Sequence, residues 1–383
     1  MSFIGDDELR QCRPEDVLNR MLSTHSDLPT MCSLAEEKQR AEDAANLKTS
    51  KEIGKGQCGT IYALTATAPT AVIKLPNASN KETELHNDDR IHLRVQKAFA
   101  TVPSSRWDIN VPGLLGWVSS NTEPFWANHA GSLVPNYGLL SERIFPLQAP
   151  VREAIVDRLC PKSITGNKKD FLNKAENEDC LVRLYLGGRT VSRTRMDASS
   201  IRLRNFPLHV DEMESLKLDT GGYAKVIARA LAILHWRAGV DANDVEFVFG
   251  CAPQVRGPSQ HRLPEELENT SMENAHMDLA ERLLQTDITT GSVRIWLLDF
   301  NQCERFCDDE EGLKQLVNGY WWNDPYYPRP NSTNKHDKQL WKTFAQQYLE
   351  VSGELTDSKM PGRFIKGVEA EGKKRASSGS VFS

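Results

Sequence analysis

The sequence predicts an α+β protein with two lobes, a small β-rich N-terminal lobe and a mostly helical, abbreviated C-terminal lobe. Two observations predict this order. Residues 51–75 contain two runs rich in β-branched residues on either side of a short turn, which indicates an antiparallel pair of strands. Residues 220–236 and 337–352 instead carry apolar side chains at helical spacing. The strand pair therefore comes early in the chain and the long helices come late.

Shifts in composition divide the chain into four parts. We expect a mobile leader at 1–48, a β-rich lobe at 49–147, a helical lobe with insertions at 148–355 and a disordered tail at 356–383. The leader and the tail are polar. The charged run 36–45 favours helix by propensity but has only a weak apolar face, so a loosely docked helix is the alternative to a mobile leader.

The composition limits the class of protein. The chain has 383 residues and a formal net charge of −5, which gives no overall basic signal for nucleic acid. No apolar run approaches the roughly 18 residues of a membrane span, and the polar, acidic N-terminus is not a secretory signal. We expect a cytoplasmic protein that makes no membrane contact. The basic stretch 373–375 could act as a weak nuclear signal, so the nucleus is the alternative compartment.

The cysteines favour free thiols over a zinc site. There are eight, they are scattered, and no Cys-x2-Cys pair exists. Cys303 and Cys307 lie close together but have no histidine near them in sequence. Cys58 lies inside a glycine-rich turn, and we predict that its thiol is exposed and reactive.

The glycine-rich turn is the first motif that carries chemistry. Gly54, Gly56 and Gly59 fit Gly-x-Gly-x-x-Gly, and Lys74 ends a β-branched strand fifteen residues later. Glycines let backbone N–H groups approach phosphate oxygens, and the lysine supplies a charge to the α- and β-phosphates. A strand follows the glycines instead of a helix, and no Gly-Lys-Ser/Thr ends the turn, so neither a Rossmann nor a Walker A site fits. An ordinary glycine-containing hairpin is the alternative.

Two further positions complete this first half of the predicted site. Such a lysine needs an acidic partner on the next helix. Asp88 is the preferred partner and Glu84 is the alternative. A third interpretation is that these acidic residues form a solvated face of the helix and bind nothing. The strand-like run 137–144 ends where a hinge between lobes would begin. The backbone from Glu142 to Ile144 is therefore predicted to face an adenine edge.

A second loop is predicted to carry the catalytic acid–base group. The helical stripe stops at Gly239, and Asp241 then begins the spacing Asp-x4-Asn of kinase-like catalytic loops, with Glu246 in the Asn position. Asp241 would orient the hydroxyl of the acceptor, and Glu246 would ligate Mg²⁺ through a hard oxygen. Asp244 is the alternative to Asp241, or else a carboxylate that caps the loop.

An apolar strand at 293–298 ends in Asp299-Phe300. In this position Asp299 would bridge Mg²⁺ to the β- and γ-phosphates, so the predicted cofactors are ATP and Mg²⁺. Asn301 occupies the position where kinases usually have glycine.

The motifs together resemble a family of uncharacterised fungal proteins that carries the label zinc finger protein. The resemblance extends over roughly residues 50–352. It is carried by the stretches 53–63, 181–187, 234–248, 297–303 and 323–330. The chain shows no zinc-finger ligand set, so the label is not carried over, and the family supplies no established activity. A further likeness, to protein kinases and aminoglycoside-type phosphotransferases, implies a two-lobed protein-kinase-like fold.

Three functions follow from this reading. The first is an ATP- and Mg²⁺-dependent phosphotransferase that acts on an unidentified protein or small-molecule acceptor. The second is a catalytically inactive, pseudokinase-like scaffold or regulatory protein. It is supported by Asp88 in place of Glu, Glu246 in place of Asn, Asn301 in place of Gly, and the lack of Ala-Pro-Glu. The third is an unrelated α+β interaction protein.

Overall fold

The structure is a computed structural model that describes residues 5–24, 50–64, 68, 70–103, 108–190, 197–255, 271–277, 286–323 and 325–377. Within these ranges two β-sheets and a set of α-helices form, which confirms the α+β class. No helix in them is both long enough and apolar enough to cross a membrane.

The strands follow in chain order. They are β1 (Lys51–Lys55), β2 (Gly59–Ala63), β3 (Ala71–Pro76), β4 (Leu114–Val118), β5 (Gly138–Glu142), β6 (Val182–Tyr185), β7 (Phe206–His209), β8 (Glu246–Val255), β9 (His276–Met277) and β10 (Thr286–Leu298). The first sheet is antiparallel with the order β1-β2-β3-β5-β4-β9, and the second has the order β10-β8-β6-β7 with β6 and β7 parallel.

The helices are α1 (Asp6–Arg10), α2 (Pro14–Met21), α3 (Glu82–Thr101), α4 (Glu123–Asn128), α5 (Ala149–Leu159), α6 (Lys162–Thr165), α7 (Lys168–Leu172), α8 (Ala175–Glu178), α9 (Val210–Ser215), α10 (Thr220–Ile233), α11 (Glu310–Trp322), α12 (Lys335–Leu355) and α13 (Met360–Ser377). A π-helical turn, Leu234–Ala238, extends α10 and ends at Gly239 in the left-handed region (φ 67°), as the sequence predicts.

The first sheet is covered on both faces because its apolar side chains alternate. Leu114 and Leu139 pack in one buried cluster with residues of α3. Leu115 and Leu140, the next residues along the same strands, pack in another cluster with Trp126 of α4. Successive side chains of a strand point to opposite faces, so two adjacent leucines pack in two separate hydrophobic clusters, one on each face of the sheet.

Two backbone connections join the sheets. Asn110 exchanges backbone hydrogen bonds with Ile295 and Leu297 of β10, each 2.8 Å long. Phe145 does the same with Cys251 of β8, at 3.2 and 2.8 Å. These bonds set the position of the first sheet against the second, and the cleft described below lies between the two.

The N-terminal segment differs from the predicted mobile leader. Residues 5–24 form α1 and α2, and Leu9, Leu18 and Met21 are fully buried in the main core. The hydroxyl of Tyr223 on α10 donates a hydrogen bond to the carbonyl of Leu22. The charged run 36–45 lies outside the described residues, and a few apolar side chains before it are enough to dock residues 5–24 on the core.

The C-terminal segment also differs from the predicted disordered tail. Residues 360–377 form α13, and Phe364 and Val368 are 0% exposed. Together with Met360 they lie four residues apart and form one apolar stripe. A polar composition hides this stripe, because only six of the eighteen residues of the helix are buried against the core. Residues 378–383 lie outside the described residues.

Docking of α13 predicts a large loss of stability from one truncation. Phe364 contacts the rings of Tyr320, Tyr348 and His235. Phe364→Ala should therefore lower the free energy of unfolding by about 3–5 kcal/mol. Lys366→Ala, an exposed position on the same helix, is the control. Equal unfolding midpoints in urea for the two variants would contradict a docked α13.

A buried carboxyl on α3 predicts a pH dependence. Asp89 is 1% exposed, and its Oδ1 lies 3.8 Å from Nε2 of His276. Burial, with the negative charge of Asp88 adding to it and Arg90 opposing it, raises the pKa of Asp89 to about 7. A raised folded-state pKa means that stability is lost as the pH rises through 7, since the ionised form is disfavoured when buried.

Asp89→Asn removes this ionisation. The difference in free energy of unfolding between the variant and the wild type should be about 2 kcal/mol more favourable to the variant at pH 8 than at pH 5. Urea unfolding at both pH values is the measurement. Glu123→Gln, at an exposed position, should show no such difference. An effect of Asp89→Asn that is equal at pH 5 and pH 8 would contradict the buried ionisation.

Candidate functional site

A cleft of about 380 Å³ lies between the glycine turn and the ends of β8 and β10. Nine of the ten site residues predicted from the sequence line it, and Asp241 does not. The nine are Gly54, Gly56, Gly59, Lys74, Asp88, Glu142, Ile144, Glu246 and Asp299. The structure thus brings together residues that are up to 245 positions apart in the chain.

The glycine turn is held in one shape by its neighbours. A Cβ on Gly59 would come within 2.6 Å of the carbonyl oxygen of Leu75 on β3, so only glycine fits there. A Cβ on Gly56 would meet only the carbonyl oxygen of Gly59, at an ordinary contact distance of 3.9 Å. Asn77, just after β3, donates from Nδ2 to the carbonyls of Gly56 (2.7 Å) and Gln57 (3.2 Å). The turn is therefore tied to β3 through both backbone contact and an amide side chain.

Lys74 lies between two carboxylates. Its Nζ is 2.7 Å from Oδ2 of Asp88 on α3 and 2.8 Å from Oδ1 of Asp299. Oδ1 of Asp88 also accepts a hydrogen bond from the backbone N–H of Phe300 at 3.1 Å. Burial alone would lower the pKa of Lys74, but Asp299 and Asp88 outweigh it and raise that pKa above its ordinary value. Glu84, the alternative partner, pairs instead with Lys81 at 2.6 Å.

Strand pairing explains how Glu246 and Asp299 meet. Glu246 begins β8 and lies directly opposite Leu298, the last residue of β10, so Asp299 follows at the same end of the sheet. Asp299 has φ of 66°, in the left-handed region that a non-glycine residue rarely adopts. The strained turn directs its carboxylate back toward Lys74.

Glu246 is buried beside a cation and other carboxylates. Its Oε1 lies 2.5 Å from Nη2 of Arg183 on β6. Burial raises the pKa of Glu246 to about 7; Arg183 opposes the rise, while Asp299 and Asp244 add to it. The alternation in β6, with Val182 and Leu184 buried, was the signal that Arg183 points into the cleft.

The loop after Gly239 separates the two aspartates proposed for the acid–base role. Asp244, with φ of 61°, lies in the cleft and accepts a hydrogen bond from Nε2 of Gln302 at 2.8 Å. Asp241 lies on the other side of the same loop, in a groove of about 1340 Å³. The spacing in the sequence identified the loop but could not tell which residue faces which side.

The carboxylate of Asp241 is held by three hydrogen bonds. Its Oδ1 accepts from the backbone N–H groups of Asn243 (3.1 Å) and Glu304 (2.9 Å), and its Oδ2 accepts from Nε2 of Gln315 at 2.8 Å. Burial raises its pKa above the ordinary value, against the effect of these bonds. Among the described residues only Gln315 bonds to Oδ2, which leaves that oxygen a further lone pair toward the groove.

Glu142 and Ile144, the two residues of the predicted hinge, differ in how many of their hydrogen-bonding groups already have partners. The backbone N–H of Glu142 donates to the carbonyl of Gly113 at 2.8 Å, and its Oε2 accepts from the N–H of Gly113 at 3.0 Å. Ile144 lines the cleft and makes no backbone hydrogen bond with another described residue. Ile144 is therefore the better placed of the two to offer a backbone donor and acceptor to a ligand.

The prediction for Cys58 is wrong. Cys58 is 2% exposed as a residue and belongs to the buried cluster between the first sheet and α3. Burial raises its pKa to about 11, which makes the reactive thiolate rare at neutral pH. The position within a turn suggested exposure, but the side chain points inward to the sheet.

Comparison with known proteins gives one partial match. A family model described as a zinc finger protein matches residues 295–360, a stretch that includes Asp299, α11 and all of α12. No curated protein and no solved structure matches the chain. In the part of the chain that the structure describes, no three His, Cys, Asp or Glu side chains are arranged to hold a metal ion by themselves. The described residues thus give no zinc site that would correspond to the description of this family model.

The two glycines of the turn should respond differently to a methyl group. Gly59→Ala should lower the free energy of unfolding by about 1–3 kcal/mol, because its Cβ would clash with β3. Gly56→Ala should change it by less than about 0.5 kcal/mol. Thermal unfolding of both variants is the measurement. A loss of stability in Gly56→Ala equal to that in Gly59→Ala would show that the turn is not packed as described.

Proposed function

We propose that this protein is a kinase-like phosphotransferase, which binds a nucleoside triphosphate with Mg²⁺ in the cleft and transfers the terminal phosphoryl group to a hydroxyl acceptor. The observation that carries the proposal is the position of Lys74. It lies between Asp88 on α3 and Asp299 after β10, on the wall next to the glycine turn. In kinase-like sites a lysine so placed holds phosphates, and the two carboxylates fix the lysine and a metal.

The size and order of the parts support a two-lobed kinase-like arrangement. The first sheet with α3 would form the smaller lobe, and the second sheet with the remaining helices the larger one. The cleft of about 380 Å³ lies where the two sheets are joined, and its volume falls within the range of about 300–1,000 Å³ common for small-molecule sites. The backbone of Ile144 would meet the base, and the glycine turn would cover the phosphates.

The charge around Lys74 makes binding dependent on a divalent cation. Of the described side chains at this end of the cleft, four carboxylates face two cations, Lys74 and Arg183. The carboxylates are those of Asp88, Asp244, Glu246 and Asp299. A bare triphosphate is repelled by this excess of negative charge. Asp299 and Glu246 are the residues that would hold Mg²⁺, which needs only one or two protein carboxylates when phosphates supply the rest.

The inactive, pseudokinase-like alternative has its own support. Glu246 is already paired with Arg183 at 2.5 Å, and the carboxylate of Asp241 holds three hydrogen bonds. Glu246 must give up part of its contact with Arg183 before it serves a metal, and Asp241 does not line the cleft in which the nucleotide is proposed to bind. In this alternative the cleft binds a nucleotide, and the protein acts through partners instead of transferring phosphate.

Thermal unfolding with ATP tests the nucleotide site. Wild type should show a Mg²⁺-dependent rise in midpoint, since a ligand at 100 times its Kd stabilises the folded state by about 2.7 kcal/mol. Lys74→Met, Asp299→Asn and Gly56→Ala should each lose most of this rise. Lys81→Met, a lysine outside the cleft, is the matched control and should keep it. No rise up to millimolar ATP would overturn the proposal.

Formation of ADP then distinguishes a phosphotransferase from the inactive, pseudokinase-like alternative. A phosphotransferase should release ADP in the presence of Mg²⁺ and acceptor, and Asp241→Asn should slow this by about 10²-fold or more while it leaves the thermal shift unchanged. Binding of ATP without any ADP would support the inactive alternative.

A further inference from the structure

Two cations lie beside the carboxylates of the cleft, and they are held to different degrees. Nζ of Lys74 lies between two carboxylate oxygens, at 2.7 Å from Asp88 and 2.8 Å from Asp299. Arg183 forms an ion pair with one carboxylate of the described residues, that of Glu246, at 2.5 Å. The charge of Lys74 is therefore balanced from two sides, whereas Arg183 is the cation with capacity for a further anion.

The guanidinium of Arg183 also keeps hydrogen-bond donors that the described residues do not use. An arginine carries five N–H donors in a planar fork. The hydrogen bond from Arg183 to a described side chain is a long one, 3.5 Å from Nη1 to the hydroxyl of Tyr185. Its Nε is buried and has no hydrogen-bond partner in the part of the chain that the structure describes. Such donors on a side chain that lines the cleft indicate an acceptor that arrives with a ligand.

Strand register places Arg183 toward the end of the cleft that is remote from the hinge. Phe145, which follows the predicted hinge, bridges to Cys251 of β8. Arg183 on β6 lies opposite Val248, three residues closer to the start of β8. Its partner Glu246 begins β8, five residues from Cys251, which is about 17 Å of strand. A nucleotide whose base meets the hinge therefore has its terminal phosphate, and not its base, on the side of this guanidinium.

The two cations come from different walls of the cleft. Lys74 belongs to β3 of the first sheet, and Arg183 belongs to β6 of the second. In kinase-like sites the strand lysine contacts the α- and β-phosphates. The γ-phosphate of a bound triphosphate thus needs another cation, and Arg183 is the one that the second sheet supplies beside Glu246.

We propose that Arg183 binds the terminal phosphate of the nucleotide and makes the cleft select a triphosphate over a diphosphate; the inference rests on the proposed function. The guanidinium, which pairs with Glu246 in the structure, exchanges this carboxylate for the γ-phosphate when Glu246 serves the metal. Its planar fork matches two phosphate oxygens, which the point charge of a lysine does not. A diphosphate offers no acceptor at this place, so Arg183 then stays on Glu246.

Isothermal titration calorimetry with ATP and with ADP, each in the presence of Mg²⁺, tests this role. The readout is the ratio of the two dissociation constants. Arg183→Gln should lower the preference for ATP at least about 10-fold, because it removes charge-assisted hydrogen bonds to the third phosphate alone. Arg229→Gln is the matched control, since Arg229 is similarly exposed and pairs with Asp108 but does not line the cleft. The control should change the preference less than about 2-fold.

A second variant distinguishes a direct contact from an effect of net charge. Arg183→Gln combined with Asp244→Asn keeps the net charge of the wild-type cleft, and its preference for ATP should stay as low as in Arg183→Gln alone. A preference restored to that of the wild type would mean that Arg183 only balances charge, and would overturn the proposal.

Arg183→Lys keeps a cation beside Glu246, so it serves if Arg183→Gln does not fold. Without the planar fork, the preference for ATP should fall about 3-fold or more. An unchanged preference in Arg183→Lys would overturn binding through the fork.

Failure of this inference and failure of the proposed function give different results. If Arg183→Gln weakens ATP and ADP equally, the assignment of Arg183 to the terminal phosphate is overturned and nucleotide binding remains. If the wild type shows neither heat of binding nor a thermal shift with Mg²⁺ and ATP, the proposed function is overturned, and this inference with it.

Discussion

The contact of Lys74 with Asp88 and Asp299 is the interaction on which the rest of the site depends. It joins three separate elements, since β3 supplies the lysine, α3 one aspartate and the turn after β10 the other. Asp88 also accepts the backbone N–H of Phe300, so the helix holds the turn as well as the lysine. Loss of Lys74 would leave the buried carboxylate of Asp88 without its counterion, which is far more costly than loss of an exposed pair. This constraint keeps the first sheet aligned with the second.

The sequence predicted the parts of this site that depend on local spacing. The strand–turn–strand unit, Lys74 and Asp299 follow from short motifs with fixed offsets, and the helix stop at Gly239 follows from its conformational freedom. Which side of a loop a residue faces is set by tertiary contacts, so Asp241 and Asp244 could not be told apart. Arg183 was missed for a related reason, because a single cation in a strand gains meaning only beside Glu246.

The two ends of the chain show a different limit. The docked helices α2 and α13 have short apolar stripes in polar surroundings, so composition predicted disorder for both. Their stability comes from burial of a few large side chains against a core that is formed by other parts of the chain. The helix propensity of the segment itself therefore does not predict that it will dock. Docking of α13 also places Arg375 in the groove that contains Asp241.

Backbone hydrogen exchange with and without Mg²⁺ and a non-hydrolysable ATP analogue tests the central claim most directly. If the nucleotide binds between the glycine turn and the turn after β10, exchange should slow in peptides that cover 53–61 and 297–303. It should remain unchanged in peptides from α5 and α7, which are remote from the cleft. Unchanged exchange in both of the first two regions at saturating analogue, or protection confined to some other part of the chain, would contradict the account.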